Sequence, residues 1–144
     1  MNDNEIISFY IEQKEYNSKK AKINKNLHLI CSSITIFCSI ITIPVIAVQD
    51  IPSWISIISA TLTALIQSFN NLCKFQEKWI YYRTVTEELK SEYRKYSSHI
   101  FEYKGLSQVD ADIHFSENLE SIISERNNQW KSYENKNRLD DNKL

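Results

Sequence analysis

The segment 27–73 contains one charged residue, Asp50, and is otherwise dominated by apolar side chains. Two apolar runs flank Asp50, at 27–48 and 51–72. Each run is long enough to cross a hydrocarbon core of about 30 Å, which takes ~20 residues of helix. The short linker between the runs contains turn-forming residues. The sequence therefore predicts a transmembrane hairpin with spans at 27–48 and 52–73.

The mean hydropathy of the whole chain is −0.40, and most of its polar residues lie outside this segment. This segregation is typical of a small membrane protein with soluble ends. Trp54 and Trp79 lie near the two ends of the second predicted span, where they would mark the two membrane interfaces. The net charge of −1 indicates that nucleic acid is not a partner.

Lysine and arginine residues are placed unevenly around the two predicted spans. The linker between the spans carries none of them. Because cytoplasmic segments carry the excess of positive charge, we expect both termini in the cytoplasm. The cations are Lys14, Lys19, Lys20, Lys22 and Lys25 before the spans, and Lys74, Lys78 and Arg83 after them.

The segment after the second span shows a heptad pattern of apolar and aromatic residues, broken only at Thr86. This spacing favours one helical stalk that packs within or between subunits. Since neither Pro nor Gly interrupts it, we expect the second span and the stalk to form one continuous helix. The packing residues are Phe75, Trp79, Tyr82, Leu89, Tyr93, Tyr96, Ile100 and Tyr103.

The remaining soluble parts divide at turn and cap signals. Residues 1–26 predict a cytoplasmic lead-in helix, and 74–134 a cytoplasmic helical hairpin with a break near 105–109. Gly105, the one glycine, suits a left-handed helix C-cap, and Ser107 suits the N-cap of the next helix. Residues 135–144 are polar and predict a flexible tail. The fold class is thus an all-α membrane protein, a two-helix transmembrane hairpin with a long cytoplasmic helical stalk.

The second span carries a polar stripe that recurs at helical spacing. Polar side chains within a membrane face either water or neighbouring helices. One interpretation is therefore a pore built from several copies, because two spans alone cannot enclose a channel. The other is hydrogen bonding inside a closed, tightly packed bundle. The residues concerned are Ser56, Ser59, Thr63, Gln67, Asn70 and Lys74.

The first span has its own stripe of small polar residues, which we interpret mainly as a packing face. His28 lies at its cytoplasmic edge, where an interfacial role is the simpler expectation and a pH-sensitive role the alternative. The stripe comprises His28, Ser32, Thr35, Ser39 and Thr42.

The sequence does not predict an enzyme, a cofactor or a metal site. Arg94 and His99 have the R-x4-H spacing of helical HEPN-type ribonucleases, but they fall on a predicted continuous helix, and a solvated helix face is the simpler explanation. The cluster at 110–114, Asp-Ala-Asp-Ile-His, reads more simply as acids at a helix start. The three cysteines form no C-x-x-C pair, and we expect free thiols.

One segment resembles a known family. The pattern Trp79-x-x-Tyr82-Arg83-x-x-x-Glu87-x-Leu89-Lys90-x-Glu92-x-x-x-Tyr96 is similar to the signature that follows the second span in SLATT-type proteins. Glu125 and Trp130 resemble that family's closing E-x-x-x-W element, here one residue longer. The resemblance implies a two-span effector of bacterial nucleotide-linked defence systems, located in the inner membrane. It supplies no catalytic residues, and no fused sensor is recognisable in this chain.

Together these patterns predict a homo-oligomeric pore or ion channel that permeabilises the inner membrane. Its expected partners are other copies of itself, the lipid bilayer, and a cytosolic sensor or nucleotide-second-messenger system. The alternative is a non-conducting membrane anchor or adaptor whose cytoplasmic helices recruit a partner. A ribonuclease using Arg94 and His99 is the remote third hypothesis.

Overall fold

A computed structural model of the chain describes residues 3–47 and 52–141, with side chains at 5–41, 52 and 54–135. The described residues form helices and turns and contain no strand, which confirms the all-α class. Asp50 and the side chain of Thr42, both in the predicted hairpin, lie outside the part of the chain that the structure describes. The helices are α1 (Asp3–Ala47), α2 (Ser53–Cys73), α3 (Phe75–Ser97) and α4 (Gln108–Asp141), with a 3-10 turn at Phe101–Tyr103.

The predicted continuity of the second span with the stalk is wrong. Lys74 separates α2 from α3 in a left-handed conformation with φ 50°, and its N–H donates to the carbonyl of Asn70 at 3.0 Å. This is the hydrogen bond of a left-handed helix C-cap, which can form without glycine at a cost in strain. Beyond the break, Phe75 is buried and its ring centroid lies 5.8 Å from that of Phe69.

The stalk helix ends earlier than its heptad pattern suggested. α3 stops at Ser97, and both His99 and Phe101 have positive φ values, 49° and 57°. Gly105 has the predicted left-handed conformation, with φ 80°, but it follows the 3-10 turn instead of closing α3. Ile100 and Tyr103 therefore continue the sequence pattern outside the helix.

Ser107 caps α4 as its sequence position predicted. Its hydroxyl accepts the N–H of Asp110 at 3.3 Å and donates to the Asp110 carboxylate at 2.6 Å. A side-chain acceptor at this position satisfies a backbone donor that the first helical turn leaves free. The acid in the first turn also complements the helix dipole.

The chain divides into two compact units, which we call the bundle unit (1–21 with 80–144) and the hairpin unit (22–79). The bundle unit packs the start of α1, most of α3, the 3-10 turn and α4 around one apolar core. Full burial of a large apolar side chain such as Leu or Phe stabilises a fold by roughly 1.5–3 kcal/mol. Its buried members are Ile6, Tyr10, Val85, Leu89, Tyr96, Tyr103, Ala111, Phe115 and Leu119.

Aromatic stacking joins three helices within this core. Tyr10 of α1 stacks on Tyr93 of α3 with ring centroids 4.5 Å apart, and Tyr96 stacks on Phe115 of α4 at 4.4 Å. Offset stacks of this kind add about 0.5–1.5 kcal/mol beyond the apolar area they bury. Four of the heptad residues, Leu89, Tyr93, Tyr96 and Tyr103, thus pack inside a single chain.

Candidate functional site: a helical hairpin with an exposed apolar surface

Within the hairpin unit, α1 and α2 pack against each other through small and polar groups. Ser59 Oγ of α2 donates to the backbone carbonyl of Cys38 of α1 at 3.2 Å. The residues of α1 that share this face are half-buried, as are their counterparts on α2. They are His28, Cys31, Ser32, Thr35 and Cys38 on α1, and Ile55, Ser56, Ser59, Thr63, Ile66, Asn70 and Cys73 on α2.

The large apolar side chains of the same helices point outward. Phe37 is 68% exposed and Leu72 is 80% exposed, and many neighbours are more than half exposed. Water-soluble bundles bury such residues, so the polarity of this pair of helices is inverted. The exposed set includes Ile30, Ile36, Phe37 and Ile40 on α1, and Ile57, Ile58, Leu65, Phe69 and Leu72 on α2.

Hydroxyl groups in this unit find partners without water. Thr63 Oγ1 donates to the carbonyl of Ser59 at 2.9 Å, four residues earlier on the same helix. The hydroxyls of Thr35, Ser39, Thr61 and Ser68 make the same kind of bond to the carbonyl four residues before each, at 2.8–2.9 Å. A hydrogen bond of this kind removes most of the free-energy cost of transferring a hydroxyl group out of water.

The amide side chains near the end of α2 are less well satisfied. Gln67 is exposed, and its Nε2 reaches Asn71 Oδ1 at 3.5 Å, the long limit of a hydrogen bond. Asn70 Oδ1 is buried without a hydrogen-bond partner, and so is His28 Nδ1. Because buried polar atoms are usually hydrogen-bonded, Asn70 Oδ1 and His28 Nδ1 are exceptions among the described residues.

The residues that were predicted to line a pore do not share one environment in the structure. Ser56, Ser59, Thr63, Asn70 and Lys74 are half-buried on one side of α2, whereas Gln67 lies on an exposed side. Gln67 belongs to a second exposed face of small and polar residues that the sequence reading missed, although its members recur at helical spacing. This face comprises Ala60, Thr61, Ala64, Gln67, Ser68 and Asn71, all exposed.

Cations and a tryptophan gather at one end of the hairpin unit. Lys25 Nζ of α1 lies 5.7 Å from the ring centroid of Trp79 of α3, a cation–π contact. This contact places Lys25, near the start of the part of α1 that belongs to the hairpin unit, beside the residues that follow α2. Trp54, near the start of α2, is 59% exposed.

The bundle unit contains a buried carboxylate, that of Glu92. Glu92 accepts hydrogen bonds from Tyr103 at 2.6 Å, Asn118 at 2.7 Å and Lys95 at 3.0 Å. Burial opposes its ionisation, but these three hydrogen bonds hold the pKa of Glu92 below its ordinary value. Burial, together with the bond donated to Glu92, raises the pKa of the Tyr103 phenol.

The closing element of the predicted signature lies at the other end of this unit. The Trp130 ring lies 5.2 Å from Tyr81, whose hydroxyl donates to Asn127 at 2.8 Å. Arg126 pairs with Glu88 across the two helices. Glu125 accepts a hydrogen bond from Gln129 on the surface of α4. The contacts of Trp130, Asn127 and Arg126 join α3 to α4.

The residues considered for chemistry are dispersed or engaged elsewhere. Arg94 and His99 are both exposed, and His99 lies beyond the end of α3. Asp112 accepts hydrogen bonds from Tyr96 and Gln108, and the His114 ring lies 5.4 Å from Tyr103. Among the described residues, no group of three His, Cys, Asp or Glu side chains could hold a metal ion. Cys31, Cys38 and Cys73, all within the described residues, form no disulfide bond.

In the described part of the chain, none of the helices combines the length and the apolarity that crossing a membrane requires.

Comparison with known proteins identifies a family but no described function. No curated protein and no solved structure is significantly similar to the chain. Residues 12–111, well over half of the chain, match the family model described as protein of unknown function (DUF4231). This match covers the second part of α1, α2, α3 and the start of α4. The chain therefore belongs to the DUF4231 family.

Proposed function

We propose that this protein inserts its hairpin unit into the bacterial inner membrane and assembles with copies of itself into an ion-conducting pore. Both termini, and with them the bundle unit, lie in the cytoplasm. The resemblance of 79–96 to the SLATT-type signature supports a role as a defence effector that permeabilises the membrane. A cytosolic sensor or nucleotide-second-messenger system would supply its trigger.

The observation that carries this proposal is the inverted polarity of the hairpin unit. Ser59 and Thr63 lie on the half-buried side of α2, while Ile58, Leu65 and Leu72 are more than half exposed. In water each of these large apolar side chains forgoes roughly 1.5–3 kcal/mol of burial free energy. In lipid the same arrangement is favourable, because helices in membranes associate through small and polar residues.

Assembly from several copies is supported by the second exposed face of α2. Ala60 and Ala64 allow close approach of a neighbouring helix, and the exposed amides of Gln67 and Asn71 need partners in an apolar medium. Copies arranged around an axis would supply these partners to one another and would enclose a path that two helices alone cannot enclose.

In this proposal, the described conformation belongs to the closed state of the pore. Ser59 is bonded to α1, and Ser56, Thr63 and Asn70 share its half-buried side. For these residues to line water together with Gln67, α2 must rotate about its own axis and break the Ser59–Cys38 hydrogen bond. Lys74 then lies at the cytoplasmic mouth of the path. Gating is this rotation, driven through the bundle unit.

Single-channel recording from purified protein in a planar bilayer tests the proposal. We expect discrete conductance from the wild type and its loss in Gln67→Leu/Asn70→Leu, since both amides leave the proposed path. The control Leu62→Ile/Leu65→Ile changes the apolar face at constant volume and should conduct like the wild type. Silence from wild-type protein that has inserted would contradict the pore.

The anchor or adaptor remains the second candidate, favoured by one surface of the bundle unit. The loop that follows α3 exposes Phe101 by 74%, and two residues there, His99 and Phe101, hold strained positive φ values. Val109 and Ile113, on the following helix α4, are also more than half exposed. An adaptor would tolerate Gln67→Leu/Asn70→Leu in cells and lose activity with Phe101→Ser/Val109→Ser, the reverse of the pattern expected for a pore.

A further inference from the structure

We propose that four lysines at one end of the hairpin unit form a binding surface for the phosphates of anionic phospholipids. We call this surface the lysine collar, and it consists of Lys22, Lys25, Lys74 and Lys78 with Trp79. The inference rests on the proposed membrane insertion and adds a specific lipid partner to it.

The first argument is the placement of these residues at a single end. α1 and α2 form a hairpin joined by the Ser59–Cys38 bond, so the start of the α1 segment and the end of α2 lie together. The contact of Lys25 with the Trp79 ring, at 5.7 Å, confirms that the two sets of residues meet. Tryptophan beside lysine is the arrangement found at membrane–water interfaces.

The second argument is the excess of positive charge. Glu77 is the one acidic side chain among the described residues of the hairpin unit, against four lysines. Within residues 5–41 and 54–135, no ion pair involves Lys22, Lys25 or Lys78. A lysine near an anionic membrane surface strengthens binding by about fivefold. The negative phosphates of lipid headgroups would complement this positive charge. Exposed Leu72, close to Lys74 in the chain, would lie next to the lipid tails.

The third argument concerns Lys74. Its left-handed conformation, φ 50°, is one that glycine or asparagine adopts with less strain. The backbone conformation alone therefore does not explain a lysine at this position. In the closed state, before α2 rotates, a headgroup contact does explain it, because an ammonium group on a flexible stem can extend from the helix junction to the lipid phosphates.

The test uses the full chain and two lipids, phosphatidylglycerol and phosphatidylcholine. Lipid binding to detergent-purified protein is measured by native mass spectrometry, and membrane insertion in cells by resistance to an alkaline carbonate wash. We expect the wild type to prefer phosphatidylglycerol. Lys22→Gln/Lys78→Gln should lower that affinity about 25-fold, at about fivefold per lysine, and leave phosphatidylcholine binding unchanged.

Two further variants make the test specific. Lys74→Gly keeps the left-handed junction and removes its charge, so it should lose about fivefold in phosphatidylglycerol affinity while the protein remains as stable as the wild type. Lys104→Gln/Lys131→Gln removes two exposed charges from the bundle unit and should change the affinity less than twofold.

The outcomes separate the lysine collar from the proposed function. Carbonate-resistant protein without a preference for phosphatidylglycerol, or with equal losses in the collar and control variants, overturns the collar and leaves membrane insertion standing. Protein that the carbonate wash releases from membranes overturns the insertion and, with it, the collar.

Discussion

The Tyr103 hydroxyl donates a 2.6 Å hydrogen bond to Glu92 Oε1, although Tyr103 lies in a 3-10 turn and Glu92 in α3. Both residues are buried, at 0% and 5% exposure. Asn118 of α4 donates to the same carboxylate oxygen at 2.7 Å. One carboxylate therefore ties together α3, α4 and the strained loop between them.

Tyr103→Phe removes one donor from this buried carboxylate. Because a hydrogen bond to a charged group contributes about 1.5–3 kcal/mol, the free energy of unfolding should fall by that amount. Thermal or urea unfolding of the detergent-purified chain, followed by circular dichroism, measures the change. Tyr16→Phe removes a hydroxyl from a half-exposed residue and should change stability by less than ~0.5 kcal/mol. Equal effects of the two substitutions would contradict the assigned role of Tyr103.

The same carboxylate predicts how stability depends on pH. Since the folded-state pKa of Glu92 lies below its unfolded value, its charge stabilises the fold at pH values above the unfolded pKa. This contribution is lost as the pH falls through the folded pKa. The stability difference between the wild type and Glu92→Gln should therefore be constant between pH 6 and 8 and shrink at acidic pH, on the order of 4 and below. A stability difference that grows on acidification would contradict the lowered pKa of Glu92.

Phe115 is the residue at which the aromatic packing of the bundle unit converges. It is fully buried, and its ring contacts Tyr10, Tyr93 and Tyr96 at centroid distances of 6.1, 6.1 and 4.4 Å. Phe115→Ala should cost about 3–5 kcal/mol through lost burial and the cavity left behind. Phe101→Ala is the matched control, because that ring is 74% exposed and its loss should be nearly neutral. Comparable destabilisation by both variants would show that Phe101 is covered in the folded protein.

Sequence periodicity predicts the helical faces of the bundle unit but not where its elements end. The 3,4 spacing of Leu89, Tyr93 and Tyr96 places them on one face of a helix, and they contribute to one core. The same spacing extends to Tyr103. This residue packs in the core from a 3-10 turn, where its hydroxyl donates a hydrogen bond to Glu92. A hydrogen bond between separate elements is a tertiary contact, and local spacing carries no signal for it.

The break at Lys74 shows a second limit of sequence reading. Helix ends are usually marked by glycine or proline, and neither is present between α2 and α3. The junction depends instead on burial of Phe75 and its contact with Phe69, which compensate for the strained φ of Lys74. The polar stripe of α2 had a similar ambiguity, since spacing alone does not say whether Ser59 faces water or a helix. The structure places it against Cys38.

The Ser59–Cys38 hydrogen bond gives the proposed gating motion a direct test. If rotation of α2 opens the pore, this bond exists in the closed state and is lost in the open state. A neutral hydrogen bond contributes about 0.5–1.5 kcal/mol, so Ser59→Ala should raise the ratio of open to closed times by about 2- to 12-fold. Single-channel dwell times in a planar bilayer measure this ratio directly.

Ser68→Ala is the matched control, because the Ser68 hydroxyl bonds to the carbonyl of Ala64 on its own helix and does not hold α2 against α1. Its dwell times should equal those of the wild type. Unit conductance should also be preserved in Ser59→Ala, since the path keeps Gln67 and Asn70. An unchanged open probability in Ser59→Ala, with conductance intact, would mean that the pore opens without separating Ser59 from Cys38. Gating would then have to arise at the contacts between copies of the chain.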